Sequence, residues 1–246
     1  MQRRHEILPN QAMGRKVHVW CFGHFGWPVL VFPTAAGFAH EWDRQSMVTT
    51  LSHLIGSGKI KLYCPESNVA ETWTSKTHTA EKKIERHRAY EEFIMSTLVP
   101  FIREDCRSPH IPIGVTGASL GGYYAATFAL KFPETFNYAL CMSGRYNLTH
   151  FTGGFNNSDI YLNNPLAFTR NLHGEALERV RRHTSITLVC GQGAYEEGCI
   201  EETLLLADVL LAKGIPHHKD IWGREVAHDW GWWKKQATLH LNHRYN

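Results

Sequence analysis

Seven short apolar runs recur along the chain, with helix-length segments between most of them, and no other feature narrows the fold so far. The runs are KVHVWCF, PVLVFPT, KIKLYC, IPIGVTG, YALCMSG, SITLVC and HHKDIW. DRQSMVTTLSHLIGSG follows the second, AYEEFIMSTLVPFIREDC precedes the fourth, LGGYYAATFALKF follows the fourth, and IEETLLLADVLLAKG follows the sixth. Alternation at this spacing predicts an α/β fold, a mostly parallel sheet with helices on both faces. The first two runs, separated by GHFGW, are expected to pair as an antiparallel hairpin at the sheet's edge. In the helix after the sixth run, Ile200, Leu204, Ala207 and Leu211 fall on one stripe, with Glu201, Glu202 and Asp208 off it. Gly214 and Pro216 supply its stop.

A chain of 246 residues suffices for one large α/β domain, and residues 1–246 are read as one. The stretch from Arg145 to Leu172 departs from the alternation, being rich in Asn, Gly, Thr and aromatics. So long a connection is either a lid or cap over a site or a plain surface excursion. With 43% hydrophobic and 20% charged residues and no long uncharged apolar run, the chain reads as globular, without a membrane span. Net charge is +3, and the basic clusters QRR, ERHR and ERVRRH are short and scattered, so they read as solvated faces rather than a nucleic-acid surface. MQRRHEILPN lacks the apolar run of a secretory signal, and the six cysteines form no C-x-x-C pair. Reduced thiols in a cytoplasm are the expectation. Sixteen histidines show no H-E-x-x-H or comparable spacing, so no metal and no cofactor is assigned. Nothing in the sequence sets an oligomeric state.

At the end of IPIGVTG the chain runs Gly117, Ala118, Ser119, Leu120, Gly121, which satisfies G-x-S-x-G. A serine that is to attack a carbonyl must project from the sheet's edge on a strained turn between strand and helix. Side chains two residues to either side would crowd that turn, so glycine stands there. The segment that follows carries Gly122, Ala125, Ala126 and Ala129 on one face, small enough to pack closely on a sheet. Its N-terminus aims free N–H groups and the positive end of the helix dipole at Ser119, where both would stabilise an oxyanion. The competing reading is a Gly-Ser turn that merely starts a helix.

A serine hydroxyl needs a base, and after such an elbow the order is serine, acid, histidine. Ligands in open α/β sheets bind outside the carboxyl ends of the strands. His217 and His218 begin the last strand, and His240 and His243 lie in or beyond the last helix. His228, which follows HHKDIW across a short loop, emerges at the required edge and is the candidate base. The acid should follow SITLVC, where Glu196 and Glu197 are available; Glu196 is favoured, with Asp159 an outside option. Asp208 and Asp220 sit inside elements, and Asp229 adjoins the histidine. The backbone N–H of Leu120 is one candidate oxyanion donor, and that of Ala35, in the loop after PVLVFPT, is the other, with Ala36 as its neighbour alternative. Trp42, Trp73, Trp230, Trp232 and Trp233 read either as a wall for an acyl or sugar group or as anchors on the core. Tyr123 and Tyr124 carry the same two readings.

FPTAAGFAHEWDRQSM, GVTGASLGGYYA and IWGREVAHDWGWW, in that order, resemble the esterase-D-like branch of the α/β-hydrolase superfamily, which includes feruloyl esterases and S-formylglutathione hydrolases. The resemblance runs from PVLVF to the C-terminal helix and is most specific at the elbow and AHDW. It implies an α/β-hydrolase fold and hydrolysis of small carboxylic esters through an acyl-enzyme, with Ser119 as nucleophile, His228 as base and Ala35 and Leu120 as oxyanion donors. One departure stands out: relatives often carry an aspartate about where this chain has Ala194. The acid would then be displaced to Glu196 or Glu197, or be absent. Two alternatives follow: a hydrolase-shaped binding or scaffold protein with a vestigial site, or an acyltransferase using the same residues.

Overall fold

Eight strands form one sheet: β1 (Arg3–Asn10), β2 (Arg15–Phe22), β3 (Trp27–Phe32), β4 (Ile60–Pro65), β5 (Ile113–Ala118), β6 (Phe136–Met142), β7 (Ser185–Cys190) and β8 (His217–Ile221). The computed structural model describes residues 2–246. The spatial order is β1-β2-β4-β3-β5-β6-β7-β8; β1, β2 and β4 pair antiparallel in turn and all other pairs are parallel. The helices are α1 (Glu41–Arg44), α2 (Met47–Thr50), α3 (Ser52–Gly56), α4 (Ala80–Phe93), α5 (Val99–Asp105), α6 (Leu120–Lys131), α7 (Thr149–Thr152), α8 (Ser158–Leu162), α9 (Pro165–Arg170), α10 (Gly174–His183), α11 (Cys199–Ala212) and α12 (Trp230–Tyr245).

Side chains of a strand alternate between faces, and here both faces are covered. On β3, Leu30 and Phe32 join one core with α4, α5, α6 and α11, while Val29 and Val31 join a second with α1–α3 and α12. β6 repeats the division, with Phe136, Ala139 and Cys141 on the first side and Tyr138, Leu140 and Met142 on the second. The near-continuous apolar runs of the sequence are therefore strands buried twice over. The order reverses at β3: the chain goes next to β4 on one side, then to β5 on the other. The loops leaving β3 and β5 thus diverge, opening a crevice at the carboxyl ends of these strands.

Four expectations need correction. The first two apolar runs are not a hairpin; β2 lies between β1 and β4, and β3 between β4 and β5. The hairpin is β1–β2, closed by a turn ending at Gly14 with φ +68°. β1 itself escapes a search for apolar runs because RRHEILPN is an edge strand, polar over its first half, whose residues alternate between exposed and half-buried. The segment after β3 makes three short helices instead of one, because Ser46 takes a left-handed conformation between α1 and α2 and Leu51 leaves helical geometry, at φ −91° and ψ 10°, between α2 and α3.

On α11, finally, the buried face is Cys199, Glu202, Thr203, Leu206, Ala207 and Leu210, while Leu204 and Leu211 are exposed. Glu202 turns inward because its carboxylate has a task. It accepts from Arg145 Nε at 2.8 Å and from the backbone N–H groups of Tyr146 and Asn147 at 2.5 and 2.7 Å. These contacts anchor the stretch 145–172, which folds into α7, α8 and α9 with Tyr146, Leu148, Ile160, Leu166 and Phe168 buried. Its asparagines are in part helix caps: Asn157 accepts from the Ile160 N–H and Asn164 from that of Ala167.

At the opposite end of the sheet from Ser119, a cavity of about 1150 Å³ is lined by Trp27, Lys59, Lys61 and Asp105 among others. Asp105 binds Lys61 Nζ at 2.6 Å, Arg4 Nη2 at 2.8 Å and the Tyr63 hydroxyl at 2.6 Å. Burial raises the affinity of this carboxyl for a proton, but Lys61, Tyr63 and Arg4 outweigh it and hold its pKa below the ordinary value. A depressed carboxyl stabilises the fold above its unfolded pKa of about 3.9 and loses that contribution as pH falls through the folded value. Asp105→Asn leaves Lys61 buried without a counter-charge and is expected to cost roughly 3 kcal/mol in urea unfolding at pH 7. The deficit should shrink toward pH 3.

Candidate active site

Ser119 leaves β5 at φ 56° and ψ −121°, a conformation that L-residues avoid. The flanking glycines show what holds it there. A Cβ on Gly117 would lie 2.5 Å from the Gly121 carbonyl carbon, and one on Gly121 would lie 2.4 Å from the Phe32 carbonyl oxygen. A Cβ on Gly122 would meet the Met142 carbonyl oxygen at 2.9 Å, so α6 approaches the sheet at backbone distance and is buried on all sides. Gly121→Ala drives a methyl into the backbone of β3 and is expected to cost about 3 kcal/mol of stability, read as a lower urea midpoint. The Ser119 N–H donates to Met142 O at 2.9 Å, which ties the elbow to the end of β6. The Ser119 hydroxyl is half-buried and makes no hydrogen bond among the described residues, to His228 or otherwise.

The loops after β7 and β8 are laced together by the backbone. Trp222 N–H donates to Cys190 O, Gln192 to Gly223 O, Gly193 to Val226 O and His228 to Ala194 O, at 2.9 to 3.2 Å. This pairing brings His228 beside Glu196. His228 donates through Nδ1 to Glu196 Oε2 at 3.1 Å. An ionised carboxylate only accepts, so the proton stands on Nδ1 and Nε2 is left as an acceptor. Glu196 is 1% exposed. Its Oε1 accepts from the Ser143 hydroxyl at 2.6 Å, and Ser143 in turn accepts from the Trp233 indole N–H at 3.0 Å. Ser143 directly follows Met142, the residue that binds the Ser119 N–H, so one short path of contacts joins elbow, carboxylate and imidazole. The Trp233 ring also packs edge-on against His228, with centroids 4.8 Å apart.

Glu197 is exposed and makes no side-chain hydrogen bond among the described residues. Asp159 pairs with Arg88, Asp229 caps α12, and Asp220 binds Trp222 and His240. Ala194 carries no carboxylate, and its carbonyl instead holds the His228 N–H at 3.0 Å. The longer glutamate side chain, starting two residues later, reaches the ring.

The loop after β3 is fastened from below by Glu41, which accepts from the Thr34 N–H at 2.7 Å and its hydroxyl at 2.6 Å. Burial pushes the Glu41 carboxyl up, against the pull of those two bonds. Ala36 N–H is engaged by Thr34 Oγ1 at 3.3 Å, whereas Ala35 is exposed and its N–H has no partner among the described residues. Leu120 opens α6, where first-turn N–H groups lack helical partners.

Two thiols lie close by, Cys190 Sγ at 3.4 Å from Glu196 Oε2 and Cys199 Sγ at 4.0 Å from His228 Nδ1. Burial, reinforced by Glu196, pushes Cys199 up to about 12 and Cys190 further, so both stay protonated and neither competes as a nucleophile. Trp42 and Trp73 are 1% and 3% exposed and serve as core anchors rather than a binding wall. Tyr123 and Tyr124 are buried as well, Tyr123 donating to Asn163 O under α8 and α9. The sequence pointed to none of Ser143, Thr34 and Glu41. Ser143 had one readable signal, a serine just past a strand that neighbours the elbow strand.

The "Putative esterase" family model matches residues 25–245. No curated protein sequence matches the chain. Among solved structures, a ferulic acid esterase aligns with TM-score 0.76 at 16% identity, over 99% of this chain and 97% of that one. FphF, a fluorophosphonate-binding serine hydrolase of Staphylococcus aureus, aligns with TM-score 0.76 at 12% identity over 100% and 98%. An S-formylglutathione hydrolase from Agrobacterium tumefaciens aligns with TM-score 0.73 at 13% identity over 98% and 93%. With the match spanning nearly all of the chain, and with the sheet order and elbow described above, this protein belongs to the esterase family and has the α/β-hydrolase fold.

Proposed function

We propose that this esterase cleaves small carboxylic esters through an acyl-enzyme on Ser119, with His228 as base and Glu196 as the acid of the triad. The observation that carries the reading is the conjunction at one sheet edge of a strained serine between two obligatory glycines and a histidine whose Nδ1 is held by a buried carboxylate. His228 Nε2 takes the Ser119 proton as Oγ attacks the ester carbonyl. The N–H groups of Leu120 and Ala35 receive the oxyanion, and their lack of other partners suits them to it. His228 then protonates the leaving alkoxide, and the alcohol departs. In the second half it takes a proton from water, hydroxide adds to the acyl carbon, and Ser119 leaves with the proton returned. Glu196 keeps the proton on Nδ1 and stabilises the imidazolium. The Ser119–His228 hydrogen bond forms when substrate is bound, as catalytic contacts in free enzymes are often open.

Phe38, 55% exposed beyond the Ala35 loop, and Tyr195, 82% exposed beside Glu196, are the rings we assign to substrate. We read the stretch 145–172, anchored at its start by Glu202, as a cap within a single domain. The six cysteines are unpaired, which fits a reducing cytoplasm; among the described residues no helix is long and apolar enough to cross a membrane. A fluorophosphonate probe tests the reading. It is expected to add to Ser119, located by peptide mass spectrometry, with hydrolysis of a panel of acetyl, longer acyl and feruloyl esters lost in step. A folded protein that stays unlabelled would instead be a scaffold with a vestigial site.

A further inference from the structure

β8 and α12 bring together three side chains that no spacing in the sequence connects. His218 and Asp220 stand two apart on β8 and therefore share one face of the strand. His240, a buried residue of α12, places Nε2 3.0 Å from Asp220 Oδ2, and its ring centroid lies 5.9 Å from that of His218. One ligand atom from each of the three lies within 4.8 Å of the other two.

We propose that His218, Asp220 and His240 form a binding site for a borderline divalent cation, with Zn²⁺ as the best fit. Two imidazoles and one carboxylate suit Zn²⁺, Ni²⁺ or Cu²⁺, whereas Mg²⁺ and Ca²⁺ prefer oxygen alone. Around a tetrahedral Zn²⁺ with bonds of about 2.0–2.2 Å, ligand atoms stand about 3.4 Å apart. The His240–Asp220 pair is already within a few tenths of an ångström of that separation. His218 is exposed and its ring makes no hydrogen bond among the described residues, so a turn of the ring closes the remaining gap. The Trp222 indole N–H donates to Asp220 Oδ2 at 2.8 Å and fixes the carboxylate, as outer partners of metal ligands do. The exposed side leaves room for a water as fourth ligand. A bound ion would clamp β8 to α12, the two elements that flank the loop carrying His228.

Two other places could take up the ion: the Glu196–Cys199–His228 cluster and the surface pair His5–His18, whose ring nitrogens are 2.8 Å apart. The test separates all three. Tag-free protein is stripped with a chelator and titrated calorimetrically with Zn²⁺. One equivalent is expected to bind, and at a free concentration a hundredfold above Kd it should raise Tm by about 5 °C. His218→Ala, a change at an exposed position, should weaken binding by roughly tenfold or more while the metal-free Tm stays put. Asp220→Asn should weaken binding at least as much, with a lower metal-free Tm because Trp222 and His240 lose the carboxylate. Cys199→Ser and His5→Ala should bind as the parent does. With Co²⁺ as probe, the visible bands of nitrogen and oxygen ligation are expected without thiolate charge transfer. Absence of binding, binding indifferent to His218→Ala, a thiolate band, or loss in Cys199→Ser or His5→Ala would each overturn the assignment.

Discussion

Ser119→Ala is expected to lower kcat on any ester substrate by about five to six orders of magnitude. What remains should exceed the uncatalysed rate, because in the proposed mechanism the Leu120 and Ala35 amides would still bind the oxyanion. The same position also separates activity from stability. At φ 56° and ψ −121° a serine is strained, and the neighbouring glycines show that the turn has no room to relax. Glycine accepts such angles at little cost. Ser119→Gly should therefore be as inactive as Ser119→Ala yet more stable than the parent by roughly 1 kcal/mol in urea unfolding. Near-parental turnover in Ser119→Ala would place the chemistry elsewhere.

Glu196→Gln should reduce kcat by about four orders of magnitude with little change in KM. The amide is nearly the same size and can still accept from Ser143. If its NH₂ faces His228, the ring must accept at Nδ1 and carry its proton on Nε2, where it cannot take one from serine. No neutral amide stabilises the imidazolium as the carboxylate does. Glu197→Gln, at an exposed position, should stay within about twofold of the parent, as surface changes usually do. Similar small effects of both changes in steady-state kinetics would remove Glu196 from the triad.

The parallel sheet was legible because its strands are buried on both faces and therefore read as unbroken apolar runs. The elbow was legible because its steric demands fall on residues two apart. Features that depend on distant partners were not. β1 looks polar because one face meets solvent and the other is only partly covered. The side of α11 that turns inward is set by Glu202, whose partners lie more than fifty residues away in the chain. For the same reason Ser143 has no signature: its role depends on Glu196 and Trp233, which reach it from two separate elements. Which of Glu196 and Glu197 points inward depends on the backbone lacing of two loops, which local sequence does not reveal.

That lacing has a dynamic consequence. Two adjacent segments cross-linked by four amide-to-carbonyl contacts cannot open one without the other, so Glu196 and His228 ride on a common rigid jaw. In hydrogen–deuterium exchange, the amides of Gly193 and His228 should therefore be protected to the same degree and released together. The free Ala35 amide across the crevice should exchange orders of magnitude sooner, which puts the breathing of the site on the side we assign to the carbonyl oxygen.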